Sequence, residues 1–164
     1  AEPSMLRRKL AEPREAGEMR LLADVHPGDA IAPRRTRCPR ADADPRLAVV
    51  TEPLDWYAGP SPWGDPILNP GLVVHIMVAA QRNMALPADA VGLYGAIEVR
   101  HLRGPVFLER DYEVRGTILA TGTTPKTEYV WFETLLNEGG GPDVASMIMM
   151  LRFMKASSPR WREA

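Results

Sequence analysis

A chain of 164 residues, 45% hydrophobic and 25% charged, is long enough for one domain with a real core and has the balance of an ordinary soluble globular protein. Its net charge of −1 provides no global field toward nucleic acid or an anionic membrane, and Lys9, Lys126 and Lys155 are the only lysines beside many arginines. One cysteine, Cys38, excludes an intrachain disulfide and a thiol-built zinc cluster and fits a reducing compartment; with no signal-peptide pattern at the start, a cytoplasmic protein is expected.

Residues 1–18 read as an N-terminal tail or short helix, in which Met5, Leu6 and Leu10 can make one helical contact. A strand is expected over 19–25 (MRLLADV), then a turn at His26-Pro27-Gly28-Asp29 and the run AIAPRRT. From Arg37 to Pro45 the prolines predict a loop. A short apolar run, Leu47 to Thr51, precedes a helical turn over 52–58. The segment 59–70, GPSPWGDPILNP, is too proline-rich for regular structure and delivers the chain to a helix over about 71–83.

That helix is the most informative element. Leu72 to Ala80 is apolar on nearly every face except His75, so it must be wrapped on most sides. It is well short of the about 20 residues needed to cross a bilayer. Four strands follow: Val91–Arg103, Val106–Ala120, Thr127–Asn137 and Val144–Lys155, separated by glycine- and proline-bearing breakers. The second alternates, with Tyr112, Val114, Gly116 and Ile118 on one face. The third and fourth, YVWFETLL and MIMMLRFM, are bulky on both faces and need cover twice. The helix is one cover; a partner subunit is the economical other. The expected architecture is α+β, a curled antiparallel sheet around one central helix: a single hot-dog domain over 19–158 with a C-terminal tail over 159–164.

On that layout the residues resemble the MaoC-like hot-dog family of (R)-specific enoyl-thioester hydratases and 3-hydroxyacyl-thioester dehydratases. His26-Pro27-Gly28-Asp29-Ala30-Ile31 is similar to the family's opening "G-D" strand. Tyr57-Ala58 followed by Gly64-Asp65-Pro66-Ile67-Leu68 resembles its "Y/F-A…G-D-x-N-P-I-H" entry, and Val73-Val74-His75-Ile76-Met77 its "P-x-V-H-G-M" helix opening. The strand pair "V-R-F-x-x-P-V-f-x-G-D-x-x-x-v-x-G" is matched by Val99 to Phe107 and Glu109 to Gly116. The resemblance spans roughly residues 20–155.

It implies an acyl thioester of coenzyme A or acyl carrier protein as substrate, and a homodimer or a heterodimer with another hot-dog subunit. No cofactor beyond the substrate's own coenzyme is implied. Family hydratases use an Asp and a His five residues later. Here Asp65 stands for the Asp, but Leu68 occupies the position of the His and Pro70 follows Asp65 by five residues. The expected function is a hydratase or dehydratase with a rearranged site; the alternatives are a non-catalytic subunit of a heteromeric dehydratase and an acyl thioesterase.

The candidate catalytic residues are Asp65, Asn69 and His75. Each has a plainer reading: Asp65 as a turn residue, Asn69 as a helix cap, His75 as a satisfied core histidine. A helix N-terminal amide polarises the thioester oxygen, which makes Gly71, Ile76 and Met77 expected substrate contacts together with Trp63. Arg35, in the run Arg34, Arg35, Arg37 and Arg40, is set to meet phosphates of a coenzyme or pantetheine arm; a solvated loop is the alternative. Met147, Met149, Met150 and Met154 are either core or an adaptable acyl surface. Three scattered histidines carry no metal-site spacing, and the arginine run lacks the interleaved aromatics of a nucleic-acid surface.

Overall fold

Asn69 begins the central helix by accepting the Leu72 N–H on its side-chain oxygen at 2.9 Å, and Pro70, lacking an N–H to satisfy, occupies the first helical position. In the computed structural model, which describes residues 3–12, 17–52 and 54–162, this element is the fourth of four helices. They are α1 Met5–Leu10, α2 Arg40–Leu47, α3 Asp55–Ala58 and α4 Pro70–Met77. Beyond Met77 the chain tightens into a 3₁₀ turn over Val78–Asn83, so the helical stretch reaches the expected end. No described helix is long and apolar enough to cross a membrane.

The strands are β1 Ala30–Thr36, β2 Gly92–His101, β3 Tyr112–Thr123, β4 Thr127–Glu138 and β5 Asp143–Met154. They form one antiparallel sheet in the order β1-β3-β4-β5-β2. The β4–β5 hairpin turns at Gly139 and Gly140, whose φ of 59° and 75° favour glycine. Period-two alternation aims Val114, Ile118, Val130, Phe132, Leu136, Met147 and Met149 at Leu72, Val73, Ile76 and Met77 of α4. Each fully buried side chain of this size contributes about 1.5–3 kcal/mol. This is the expected sheet around a central helix.

Both faces of β4 and β5 are apolar, and the second cover comes partly from the chain itself. Ala120, Trp131, Ile148 and Met150 form an outer cluster under Leu6 and Leu10 of α1. Arg7 holds that helix down through an ion pair with Glu133 at 2.6 Å.

The structure departs from the sequence reading in four places. First, residues 19–25 form no strand: the N–H groups of Arg20, Leu21 and Leu22 go to the carboxylate of Glu128 rather than to a neighbouring strand. Glu128 is fully buried on β4 and also accepts the indole N–H of Trp161 at 2.8 Å. Second, the expected C-terminal tail is therefore docked through residue 161. Third, the expected loop at 37–45 contains α2, which starts after Pro39, buries Ala43 and carries Pro45 inside its short length. Fourth, the strand expected over 106–120 is broken. Residues around Phe107 bridge to Ile67, Glu109 turns with φ 61°, and β3 begins only at Tyr112.

Candidate functional site

The approach to α4 is built by a tight turn. Gly64, at φ 102°, lets its N–H reach the Ser61 carbonyl at 2.9 Å, and the Ser61 hydroxyl donates to the Asp65 carbonyl at 2.7 Å. The chain then runs extended. Leu108 donates to the Pro66 carbonyl at 2.9 Å and Leu68 to the Val106 carbonyl at 2.8 Å, locking the entry segment to residues 106–108 just before β3. Leu68, at the position of the missing histidine, is 4% exposed and part of the core.

Asp65 points away from that core. Its carboxylate accepts from Arg110 Nη2 at 2.5 Å, and Nη1 of the same guanidinium lies 3.2 Å from Glu138. Arg110 also stacks over the Phe107 ring at 3.9 Å, and its pKa is raised chiefly by the bond to Asp65. Beneath this cluster the Tyr112 hydroxyl accepts the Phe107 N–H at 2.9 Å; burial pushes the phenol up to about 12. Asp65 thus sits in a surface carboxylate–guanidinium–carboxylate triad without an imidazole.

The first turn of α4 has one donor to spare. Pro70 has no N–H, the Leu72 N–H is held by the Asn69 side chain, and the Val73 N–H bonds the Asn69 carbonyl at 3.0 Å. The Gly71 N–H has no hydrogen-bond partner among the described residues, and the residue is exposed. Ile76 and Met77 are core residues at 1% and 0% exposure, and the Ile76 N–H is committed within the helix. The N–H left unpaired in the first turn is therefore that of Gly71, more than one turn before Ile76.

Asn69 acts as the helix cap. Replacing it by alanine is expected to lower unfolding free energy by about 1 kcal/mol; a denaturant melt with unchanged midpoint would contradict that assignment.

His75 is exposed rather than a core histidine. It lies on the open flank of α4, where burial first and then Arg46 and Arg82 hold its pKa below the ordinary value, against Asp42. It is placed with these groups, while Asp65 is placed with Arg110, so the three expected catalytic residues occupy three separate environments. Trp63 is 55% exposed and meets Trp56 edge to face at 5.9 Å. Arg35 lines a cleft with His75. Met147 and Met149 are fully buried under the helix, Met150 is in the outer cluster, and Met154 is exposed. Among the described residues no three His, Cys, Asp or Glu side chains converge as metal ligands.

Arg110, Glu138 and Glu128 were not singled out from sequence. Glu128 alone carried a signal there, as a carboxylate beside the bulky run YVWF.

No protein-family model and no curated protein sequence matches the chain. Solved structures do. A monoamine oxidase regulatory protein from Archaeoglobus is 16% identical with a TM-score of 0.64, over 82% of this chain and 94% of that one. The (R)-hydratase from A. caviae involved in PHA biosynthesis is 13% identical, TM-score 0.62, over 79% and 97%. A MaoC-like dehydratase from Rhodospirillum rubrum is 15% identical, TM-score 0.60, over 83% and 97%. At these identities the likeness establishes a common fold.

Proposed function

We propose, from the hot-dog fold that this chain has in common with MaoC-like dehydratases and (R)-hydratases, that it binds an acyl thioester of coenzyme A or acyl carrier protein and interconverts enoyl and 3-hydroxyacyl forms. The observation that carries this reading is the unpaired Gly71 amide at the start of a helix whose Leu72, Val73, Ile76 and Met77 are buried against the sheet. Adding water across the C2=C3 bond takes a proton from water as its oxygen bonds to C3 and delivers a proton to C2, while negative charge builds on the thioester oxygen. The Gly71 N–H and the helix dipole would meet that charge, and Asp65 would move the proton once Arg110 gives way to substrate. The substrate brings its own coenzyme, so no resident metal or cofactor is called on. A cytoplasmic location is part of the same reading.

A second hot-dog subunit is the proposed partner. β2 lies at the edge of the sheet, and its exposed Leu93, Tyr94 and Ile97 make an apolar border with unpaired backbone groups, a border that natural proteins cover. Ile97→Lys is expected to shift the solution mass toward the monomer in light scattering; an unshifted mass would place the contact elsewhere.

The test is direct. Purified protein with crotonyl- and longer enoyl-CoA should deplete the enoyl absorbance. Absence of both turnover and thioester binding defeats the proposal, and release of free thiol would turn it into a thioesterase.

One observation favours a second reading, the non-catalytic subunit of a heteromeric dehydratase: Asp65 is tied to Arg110 and Leu68 stands where an imidazole is needed. That reading expects thioester binding without turnover, and co-purification with a hot-dog subunit that carries the Asp/His pair.

A further inference from the structure

The sheet face turned away from α4 carries a hollow of its own. Tyr129 of β4 and Arg152 of β5 are register partners there, beside the next pair on the same face, Trp131 and Met150. The side chains of Tyr129 and Arg152 lean apart, each over a glycine on its far side. A Cβ at Gly122, the β3 partner of Tyr129, would collide with the Tyr129 ring and hydroxyl. A Cβ at Gly95, at the register shift of β2, would meet the end of Met150 and lie 3.2 Å from Arg152 Nε. The parting leaves a space of about 180 Å³, floored by Trp131 and Met150, with Lys9 of α1 and Glu12 just beyond that helix on its other side.

The charges on its walls do not balance. Arg152 forms no salt bridge among the described residues, and its Nε is buried without an acceptor. Lys9 is exposed and likewise forms no salt bridge among the described residues. Glu12, exposed at the rim, is the one acidic residue lining the space. Two cations against one carboxylate leave a place for a single negative charge. A guanidinium matches a carboxylate with two parallel hydrogen bonds, and a buried donor without an acceptor is destabilising until it finds one.

Size and floor narrow the ligand further. An apolar cavity of about 150 Å³ is enough to hold benzene, so this hollow has room for a compact apolar body beside the charge. A doubly charged phosphate would give up its hydration against the apolar floor and face Glu12 as well, which disfavours it. A singly charged acid sets its carboxylate on Arg152 and Lys9 and its apolar part on Trp131 and Met150.

We infer that the hollow between α1 and the outer face of β4 and β5 binds a small carboxylic acid with a compact apolar body. It lies across the sheet from α4 and is independent of the thioester function. Because Lys9 belongs to α1 and Arg152 to β5, a bound carboxylate braces that short helix, otherwise held by Leu6, Leu10 and the Arg7–Glu133 pair, against the sheet.

The experiment titrates benzoate, and benzamide as its neutral isostere, into the full chain and follows backbone amide signals by NMR. Benzoate is expected to shift the signals of Lys9, Trp131, Met150 and Arg152 and to bind at least about tenfold more tightly than benzamide. Arg152→Met should weaken benzoate by about tenfold, and Lys9→Gln, at an exposed position, by about threefold. Thermal melts check the fold of both variants, and the comparison of benzoate with benzamide needs neither. Equal affinity for the two compounds, no shifts with benzoate at about 10 mM, or wild-type benzoate affinity in both variants overturns the inference. Shifts centred on Gly71 in place of Trp131 and Met150 also overturn it, because they assign the acid to the mouth of α4.

Discussion

Glu128→Ala is expected to lower the melting temperature by roughly 10 °C, the largest stability loss of any single surface-distant substitution outside the apolar core. The carboxylate is fully buried and accepts the N–H groups of Arg20, Leu21 and Leu22 between 2.8 and 3.1 Å, together with the Trp161 indole. Truncation strands these donors in a dry interior, where each unsatisfied one costs about 1–3 kcal/mol. Partial relaxation and water entry leave a net of about 3–5 kcal/mol, which at this chain length corresponds to about 2–4 °C per kcal/mol. Arg20 and Lys155, stacked on Trp161 at 4.6 and 4.1 Å, lose their platform as the C-terminal turn undocks. Scanning calorimetry measures the effect. A melting temperature within 2 °C of wild type, on the order of a single surface contact, would mean that the carboxylate does not hold both ends of the chain.

Asp65→Asn is expected to cut kcat/KM for enoyl-thioester hydration by about 10²–10⁴-fold, the usual worth of a positioned acid–base group, while thioester affinity stays near wild type. The substitution also breaks the ion pair with Arg110. Arg110→Met separates the two effects, because it removes the pair and keeps the carboxylate. The pair is a surface one and contributes no more than about 1 kcal/mol to stability, so both variants remain folded. If Asp65 is the acid–base group, Arg110→Met retains turnover and Asp65→Asn does not. Equal rates for Asp65→Asn and wild type would assign the proton transfers to another residue, and a wild type that binds without turning over would select the non-catalytic subunit.

Much of the architecture was legible from local pattern. The apolar run from Leu72 to Ala80 between a proline–glycine start and a polar end announces a wrapped helix, and α4 with its 3₁₀ extension occupies that stretch. β4 and β5 lie within a residue or so of their expected limits because period-two and double-sided apolar runs are local properties. Residues 19–25 look like a strand for the same reason, with Leu21, Leu22 and Val25 all buried. They are not one because their N–H groups are satisfied by a side chain more than a hundred residues away. The helix at 40–47 was hidden by two prolines, one of which is its cap and the other tolerated by its brevity.

Local chemistry alone specified the central helix, its Asn-Pro-Gly opening, the long strands and the absence of a histidine beside the entry segment. It left open what each polar side chain meets. Asp65 and Arg110 are 45 positions apart, and the run at Arg34 to Arg37 faces Arg82 across a gap of the same order. Such encounters are set by how a strand registers against the helix, and a one-residue slip would turn every one of these side chains to the other face. Folding therefore decided that Asp65 is paired with a guanidinium, that His75 looks outward among arginines, and that Gly71 keeps the unclaimed amide.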